Sequence, residues 1–72
     1  MKEISINKEP VELFKILKFE GIAASGAEAK EMIAAGTVLV NGKIEKQKRK
    51  KMVSGDTIEL NGKLFRLKMS FD

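Results

Sequence analysis

The chain has 72 residues, a net charge of +4 from 14 Lys and Arg against 10 Asp and Glu, and neither cysteine nor histidine. This length predicts one domain with a modest core, and the lack of cysteine excludes disulfides and thiolate zinc sites. Without histidine the usual general base near neutral pH is missing, and no apolar run reaches the roughly 20 residues of a membrane span. We therefore expect a monomeric, cytoplasmic, non-catalytic domain with no cofactor, metal, membrane or small-molecule substrate.

The N-terminal part of the chain predicts a short strand followed by a helix. "EISI", from Glu3 to Ile6, alternates polar and apolar residues, as an edge strand does. Pro10 suits the first turn of a helix, where its missing N–H costs nothing. The apolar residues that follow fall on one face, which predicts a helix over 10–20 that Gly21 ends.

A second helix is predicted in "SGAEAKEMIAAG". Ser25 and Glu28 have the spacing of a capping box, in which each side chain bonds a backbone N–H of the first turn. Gly36 is suited to end the helix. An apolar stripe is formed by Ala29, Met32 and Ile33. We expect this helix to pack on the first as a helical hairpin.

The remainder of the chain predicts two β-hairpins. "TVLVNGKI" and "DTIELNGKLFRLKM" each place an Asn-Gly pair, Asn41-Gly42 or Asn61-Gly62, between alternating segments. Asn-Gly favours the type I′ turn that joins antiparallel strands. The predicted fold class is α+β, with the two-helix hairpin packed on a small antiparallel sheet.

A run of positive charge separates the two hairpins. Between Asn41 and Lys51 stand six basic residues and one acid, Glu45, so these positions carry +5 while the rest of the chain carries −1. The positions from 46 to 52 show no alternation, which predicts a solvent-facing loop or extended segment. Charge concentrated in this way suggests a local polyanion partner, although a solvated loop is the simpler alternative.

The aromatic residues limit the mode of recognition. None of the four phenylalanines lies in the basic run. The periodicity places Phe14 and Phe65 in the core and leaves Phe19 and Phe71 undecided. We therefore expect contact with the backbone and shape of a folded nucleic acid rather than stacking on its bases.

The order of these motifs resembles the S-four RNA-binding domain, also called the alpha-L motif, and within it a small stand-alone bacterial subgroup. The shared pattern is a helix that ends at Gly21, a helix opened by Ser25, the G-x-V-x-V-N-G-K segment at 36–43 and the G-D-x-I segment at 55–58. The resemblance covers about 13–60. One position departs, since the family commonly has Arg where this chain has Gly26. The resemblance implies binding of structured RNA, with ribosomal RNA or a ribosome-associated RNA as the partner.

Two features supply the predicted RNA contacts. The start of the second helix offers free N–H groups and the positive end of its dipole; the alternative is that Ser25 serves only as a cap. The basic run offers cations for phosphates. The candidate residues are Ser25, Gly26, Lys30, Asn41, Lys43, Lys46, Lys48, Arg49, Lys50 and Lys51. The alternative is a protein-interaction adaptor that docks an acidic partner through the same run, with Met69 and Phe71 of the tail as an apolar anchor.

Overall fold

The computed structural model describes residues 1–70. The elements in chain order are β1 (Lys2–Ile6), β2 (Val11–Glu12), α1 (Leu13–Phe19), α2 (Gly26–Ala34), β3 (Leu39–Val40), β4 (Lys43–Ile44), β5 (Lys51–Met52), β6 (Thr57–Leu60) and β7 (Lys63–Met69). Five strands form the main sheet in the order β1-β7-β6-β3-β4, and β2 pairs with β5 separately.

Both predicted hairpins are present in the main sheet. The β3–β4 and β6–β7 pairs are antiparallel. Asn41 and Asn61 have φ angles of 52° and 51°, and the glycine that follows each also has a positive φ, as a type I′ turn requires. The predicted α+β class and the helical hairpin are confirmed.

The sheet is mixed rather than wholly antiparallel, because β1 joins it in parallel. The predicted edge strand is confirmed at Lys2–Ile6, and it pairs with β7 from Lys2 opposite Phe65 to Ile6 opposite Met69. A parallel pair needs a long crossover connection. Here the helical hairpin and the first β-hairpin lie between β1 and β7 along the chain. The local sequence pattern therefore gave no indication that β1 and β7 pair.

The core is one cluster that joins the inward face of the sheet to the helices. Leu13, Ile16 and Leu17 of α1 are buried, and so are Ala29 and Ile33 of α2. From the strands come Ile4, Ile6, Val40, Ile58, Leu60, Phe65 and Leu67. The outward residues of these strands are mostly charged and exposed, which confirms the alternation predicted for β6 and β7.

The first helix begins later than predicted. The apolar pattern predicted a helix over 10–20, but α1 begins at Leu13 and ends at Phe19. The two residues before it are extended because β2 pairs with β5, with Val11 opposite Met52 and Glu12 opposite Lys51. Pro10 therefore precedes a strand rather than opening a helix, and that prediction was wrong.

The second helix follows its signals closely. The Ser25 hydroxyl accepts a hydrogen bond from the Glu28 N–H at 3.1 Å. The Glu28 carboxylate accepts one at 3.3 Å, but from the N–H of Ala24 rather than from that of Ser25. The helix ends at Ala34, and Gly36 follows with φ +79°, a conformation that suits glycine.

The predicted apolar anchor of the tail is only partly described. Met69 is half-buried against the core. Phe71 lies outside the described residues.

Candidate nucleic-acid interface

The basic run is bound to the start of α1 by its own backbone. The N–H groups of Leu13 and Phe14 donate to the carbonyls of Lys50 and Lys48 at 2.9 and 3.1 Å. The residue that precedes the helix, Glu12, makes no side-chain cap. Carbonyls of the run therefore satisfy N–H groups that every helix start leaves unpaired.

The middle of the run is a tight turn. The Lys50 N–H donates to the Gln47 carbonyl at 3.2 Å, which places Lys48 and Arg49 at the two central positions. The Gln47 N–H donates to the Glu45 carboxylate at 3.1 Å. Lys48 and Arg49 are exposed. A hydrogen-bonded turn thus presents these two cations to solvent, which agrees with the predicted solvent-facing loop.

The end of the run is buried, contrary to the prediction for positions 46–52. Met52 is 0% exposed and belongs to the core, while its neighbours Lys51 and Val53 are exposed. The short β2–β5 ladder holds Met52 opposite Val11. The prediction was wrong here because a single apolar residue in a charged segment gives no periodic signal.

The ring of Phe14 brings the basic run and the start of α2 together. The Lys30 Nζ lies 4.6 Å from the ring centroid, and the Arg49 Cζ lies 5.3 Å from it. Both distances are within the range of cation–π attraction. A Cβ built on Gly26 would lie 3.6 Å from Cε2 of the same ring, which is ordinary contact. Three predicted site residues from two segments, α2 and the basic run, therefore meet at one side chain.

One carboxylate lies inside this cluster. Glu12 accepts from Lys15 Nζ at 3.2 Å and from Arg49 Nη1 at 3.3 Å. The hydrogen bond from Lys15 is the main cause that holds the pKa of Glu12 below its ordinary value; desolvation opposes it, and the hydrogen bond from Arg49 makes a smaller contribution that lowers the pKa further. Arg49 is thus the one cation of the run that pairs with a carboxylate among residues 1–70.

The start of α2 is open in the described part of the chain. Ser25 is exposed, and its hydroxyl bonds the Glu28 N–H. Within residues 1–70, neither the Gly26 nor the Ala27 N–H donates to a protein acceptor. The capping role of Ser25 is therefore real, and two N–H groups remain at the positive end of the helix dipole, where an anion is favoured.

The other predicted residues lie elsewhere. Lys43 is on the edge strand β4, and the stem of Lys46 lies beside Gly36 at the end of α2. Asn41 is occupied within the protein: its amide donates to Asp56 at 3.1 Å, and its oxygen accepts from the Thr57 N–H at 2.9 Å. The structure brings Gly26, Lys30 and Arg49 to the Phe14 ring, with Ser25 next to Gly26. The backbone of Lys48, Lys50 and Lys51 lies against the start of α1, whereas Asn41, Lys43 and Lys46 lie in other parts of the fold.

Sequence reasoning missed two members of the cluster. Phe14 was assigned to the core, yet it is half-buried and carries cations over its ring. Glu12 was not assigned to the site, although its spacing of three residues from Lys15 on a helix start is a local signal for an ion pair. The contact of both with Arg49 crosses the fold and has no local signal.

Known proteins share this arrangement of elements. A family model described as "S4 domain" matches residues 4–68. The chain belongs to the S4 domain family. The resemblance inferred from the order of motifs is thereby confirmed.

Two bacterial proteins are similar to this chain, and one of them has an RNA-binding name. The Escherichia coli (strain K12) protein "Putative RNA-binding protein YbcJ" is 50% identical over 50 residues, which cover 68% of this chain and 71% of that protein. The Shigella flexneri protein "Uncharacterized protein YbcJ" matches with the same identity and coverage.

A solved structure of the E. coli relative has the same fold. The solution structure of YbcJ from E. coli, described as an αL motif involved in RNA-binding, has a TM-score of 0.69 at 44% identity. The match covers 93% of this chain and 86% of that one. The predicted alpha-L fold is confirmed.

The described residues were also searched for metal and membrane features. No group of three His, Cys, Asp or Glu side chains among residues 1–70 is placed to hold a metal ion. No helix in the same residues combines the length and apolar character needed to cross a membrane.

Proposed function

We propose that the chain binds structured RNA without catalysing a reaction, and that ribosomal RNA or a ribosome-associated RNA is the partner. One observation carries the proposal. The Gln47–Lys50 turn and the start of α2 meet at the Phe14 ring, so the cations and the open N–H groups form one surface. The name of the E. coli YbcJ relative and the description of its solved structure support RNA as the polyanion.

The spacing of the charges supports a phosphate backbone as the ligand. With Lys30 at 4.6 Å and Arg49 at 5.3 Å from one centroid, the two charges lie no more than 9.9 Å apart. The Debye length is roughly 8 Å at physiological salt and roughly 10 Å at 0.1 M, so the potentials of the two charges overlap and reinforce each other. Phosphate contacts of this kind orient a protein on RNA without reading its sequence. The hydrogen bonds of the Gln47–Lys50 turn hold the cations of the surface at set positions. Structured RNA suits such a surface, because its phosphates also have set positions.

The test replaces Lys48, Arg49, Lys50 and Lys51 together by Ala. The variant keeps the backbone carbonyls that cap α1, so its circular dichroism spectrum should match that of the original protein. Affinity for a fluorescein-labelled RNA hairpin is measured by anisotropy across a salt series. About four phosphate contacts give a log–log slope near −3, and the variant should lose most of that slope together with most of its affinity.

A matched control removes the same amount of charge from residues outside the assigned surface. Replacing Lys2, Lys63, Arg66 and Lys68 by Ala deletes four exposed cations of β1 and β7. This control should keep the slope within about one unit of the original. Equal losses in both variants would show that affinity follows total charge, and the assigned surface would be wrong.

The ribosomal part of the proposal has its own experiment. The protein is sedimented with ribosomal subunits at low and high salt, with and without prior nuclease treatment. We expect cosedimentation at low salt that is lost at high salt and after nuclease. Retention after nuclease, with release by an acidic protein competitor, would instead support the adaptor.

A further inference from the structure

The outer face of α1 carries an exposed aromatic ring that the proposed surface does not use. Phe19 is 70% exposed, whereas Leu13, Ile16 and Leu17 of the same helix are buried. Phe19 lines a groove of about 370 Å³, and Phe14 lines the same groove. Volumes of this order hold small ligands in proteins. A phenyl ring placed in such a groove offers a planar apolar surface to a ligand.

The groove is strongly positive. Four of its lining residues are lysines: Lys8, Lys15, Lys18 and Lys51. Its one lining carboxylate, Glu12, already bonds both Lys15 and Arg49. The surplus of cations therefore favours an anionic ligand.

The groove is continuous with the proposed RNA surface. Phe14 belongs to both, since it lines the groove and also carries Lys30 and Arg49 over its ring. Lys51 lines the groove and is the last cation of the basic run. An RNA strand that leaves the Gln47–Lys50 turn along Lys51 therefore enters the groove that contains Phe19.

We propose that this groove holds an unpaired nucleotide of the bound RNA, with its base stacked on Phe19 and its phosphates beside the surrounding lysines. The inference rests on the proposed function and adds a single-stranded subsite to it. Alternating aromatic and basic side chains are the pattern by which proteins hold single strands, because every base has a π face and every linkage has a charge. An acidic protein segment would pair with the lysines, but its carboxylates would not stack on the exposed ring.

The subsite also adds base stacking to the mode of recognition, which the positions of the aromatic residues in the sequence had limited to backbone and shape. Base stacking was not expected because the basic run contains no aromatic residue. The fold places Phe19 beside the run, through the pairing of Glu12 with Lys51 just ahead of α1. An aromatic residue outside the charged segment in sequence thus lies next to it in space.

The test compares two labelled RNA hairpins that differ only in their bases. Both carry the same short single-stranded extension, one with uracil bases and one abasic. The original protein should bind the uracil-bearing hairpin about five- to a hundredfold more tightly than the abasic one, the range of base–aromatic stacking. Phe19→Ala should bind the two hairpins equally. Phe19→Leu, which keeps an apolar side chain without the ring, should lose most of the difference.

Leu64→Ala is the matched control, because Leu64 is an exposed apolar residue of β7 outside the groove. It should keep the full difference between the hairpins. A difference that survives in Phe19→Ala, or that is absent from the original protein while both hairpins still bind, overturns the subsite and leaves the proposed function intact. If the original protein binds no hairpin at all, both proposals fail.

Discussion

α1 and α2 both begin with N–H groups that lack partners within the helix. At the start of α1 the carbonyls of Lys48 and Lys50 accept from the first two N–H groups, and the residue before the helix caps nothing. At the start of α2 the Ser25 side chain bonds one N–H group, and those of Gly26 and Ala27 have no acceptor within residues 1–70. The start of α1 is closed by protein acceptors, whereas the start of α2 keeps two N–H groups without one in the described part of the chain.

The two helix starts differ in whether they contribute to stability alone or also to the proposed binding. The closed start of α1 uses the backbone of the basic run, which leaves the side chains of that run available to a ligand. The open start of α2 depends on a side-chain cap. Substitutions that loosen the basic run from the start of α1 should therefore lower stability. Substitutions at the start of α2 should change both stability and RNA binding.

The largest effect should come from Met52, which anchors the run that closes α1. Met52→Ala removes a fully buried side chain, so we expect the free energy of unfolding to fall by about 2–5 kcal/mol, measured by urea denaturation. Val53→Ala is the neighbouring control. Val53 is 41% exposed, and its replacement should change stability by no more than about 0.5 kcal/mol. Similar losses in the two variants would contradict the anchoring role.

A smaller effect is expected at the cap of α2. Ser25→Ala should lower the free energy of unfolding by about 1 kcal/mol, because the Glu28 N–H loses its acceptor. Ser25→Asp keeps a good cap and should retain stability, but it places a carboxylate where a phosphate is proposed to bind. Its affinity for an RNA hairpin should therefore fall although its stability does not. Unchanged affinity in Ser25→Asp would leave Ser25 as a cap alone.

The smallest effect is expected at Glu12, which precedes α1 without capping it. Glu12→Gln should cost less stability than Ser25→Ala, because the lost ion pairs join a half-buried carboxylate to two exposed cations that water already solvates. The pKa of Glu12 is lowered in the folded protein, mainly by Lys15, so its contribution exists at neutral pH. That contribution is lost as the pH falls below the ordinary glutamate value of about 4.3.

The measurement is the urea midpoint at neutral pH and at acid pH. The original protein should lose more stability on acidification than Glu12→Gln does. Glu20→Gln, an exposed carboxylate at the other end of α1, is the control and should lose as much as the original. If the Glu12→Gln variant lost as much stability on acidification as the original protein, the ion pairs of Glu12 would not contribute to the stability of the folded protein.

Local signals were enough for α2 and for the hairpins. The capping serine, the terminal Gly36 and the two Asn-Gly turns each act within a few residues, so the sequence alone predicts them. The start of α1 could not be predicted in this way. Pro10 and the apolar pattern favoured a helix from position 10, and the pairing of β2 with the distant β5 overrode them.

The candidate site shows the same division. The excess charge between Asn41 and Lys51 is visible in the sequence, and so is the helix start at Ser25. Their meeting at Phe14 depends on contacts across the fold. Asn41 illustrates the converse, since its side chain joins Asp56 and Thr57 within the protein although its motif suggested a ligand contact.

The Gln47–Lys50 turn constrains how this segment can change during evolution. An inserted or deleted residue would shift the carbonyls of Lys48 and Lys50 away from α1 and leave its first N–H groups without acceptors. Exchange of one side chain for another leaves those carbonyls in place. The turn should therefore tolerate wide variation in composition and almost none in length, which lets ligand preference diverge among descendants while the scaffold stays the same.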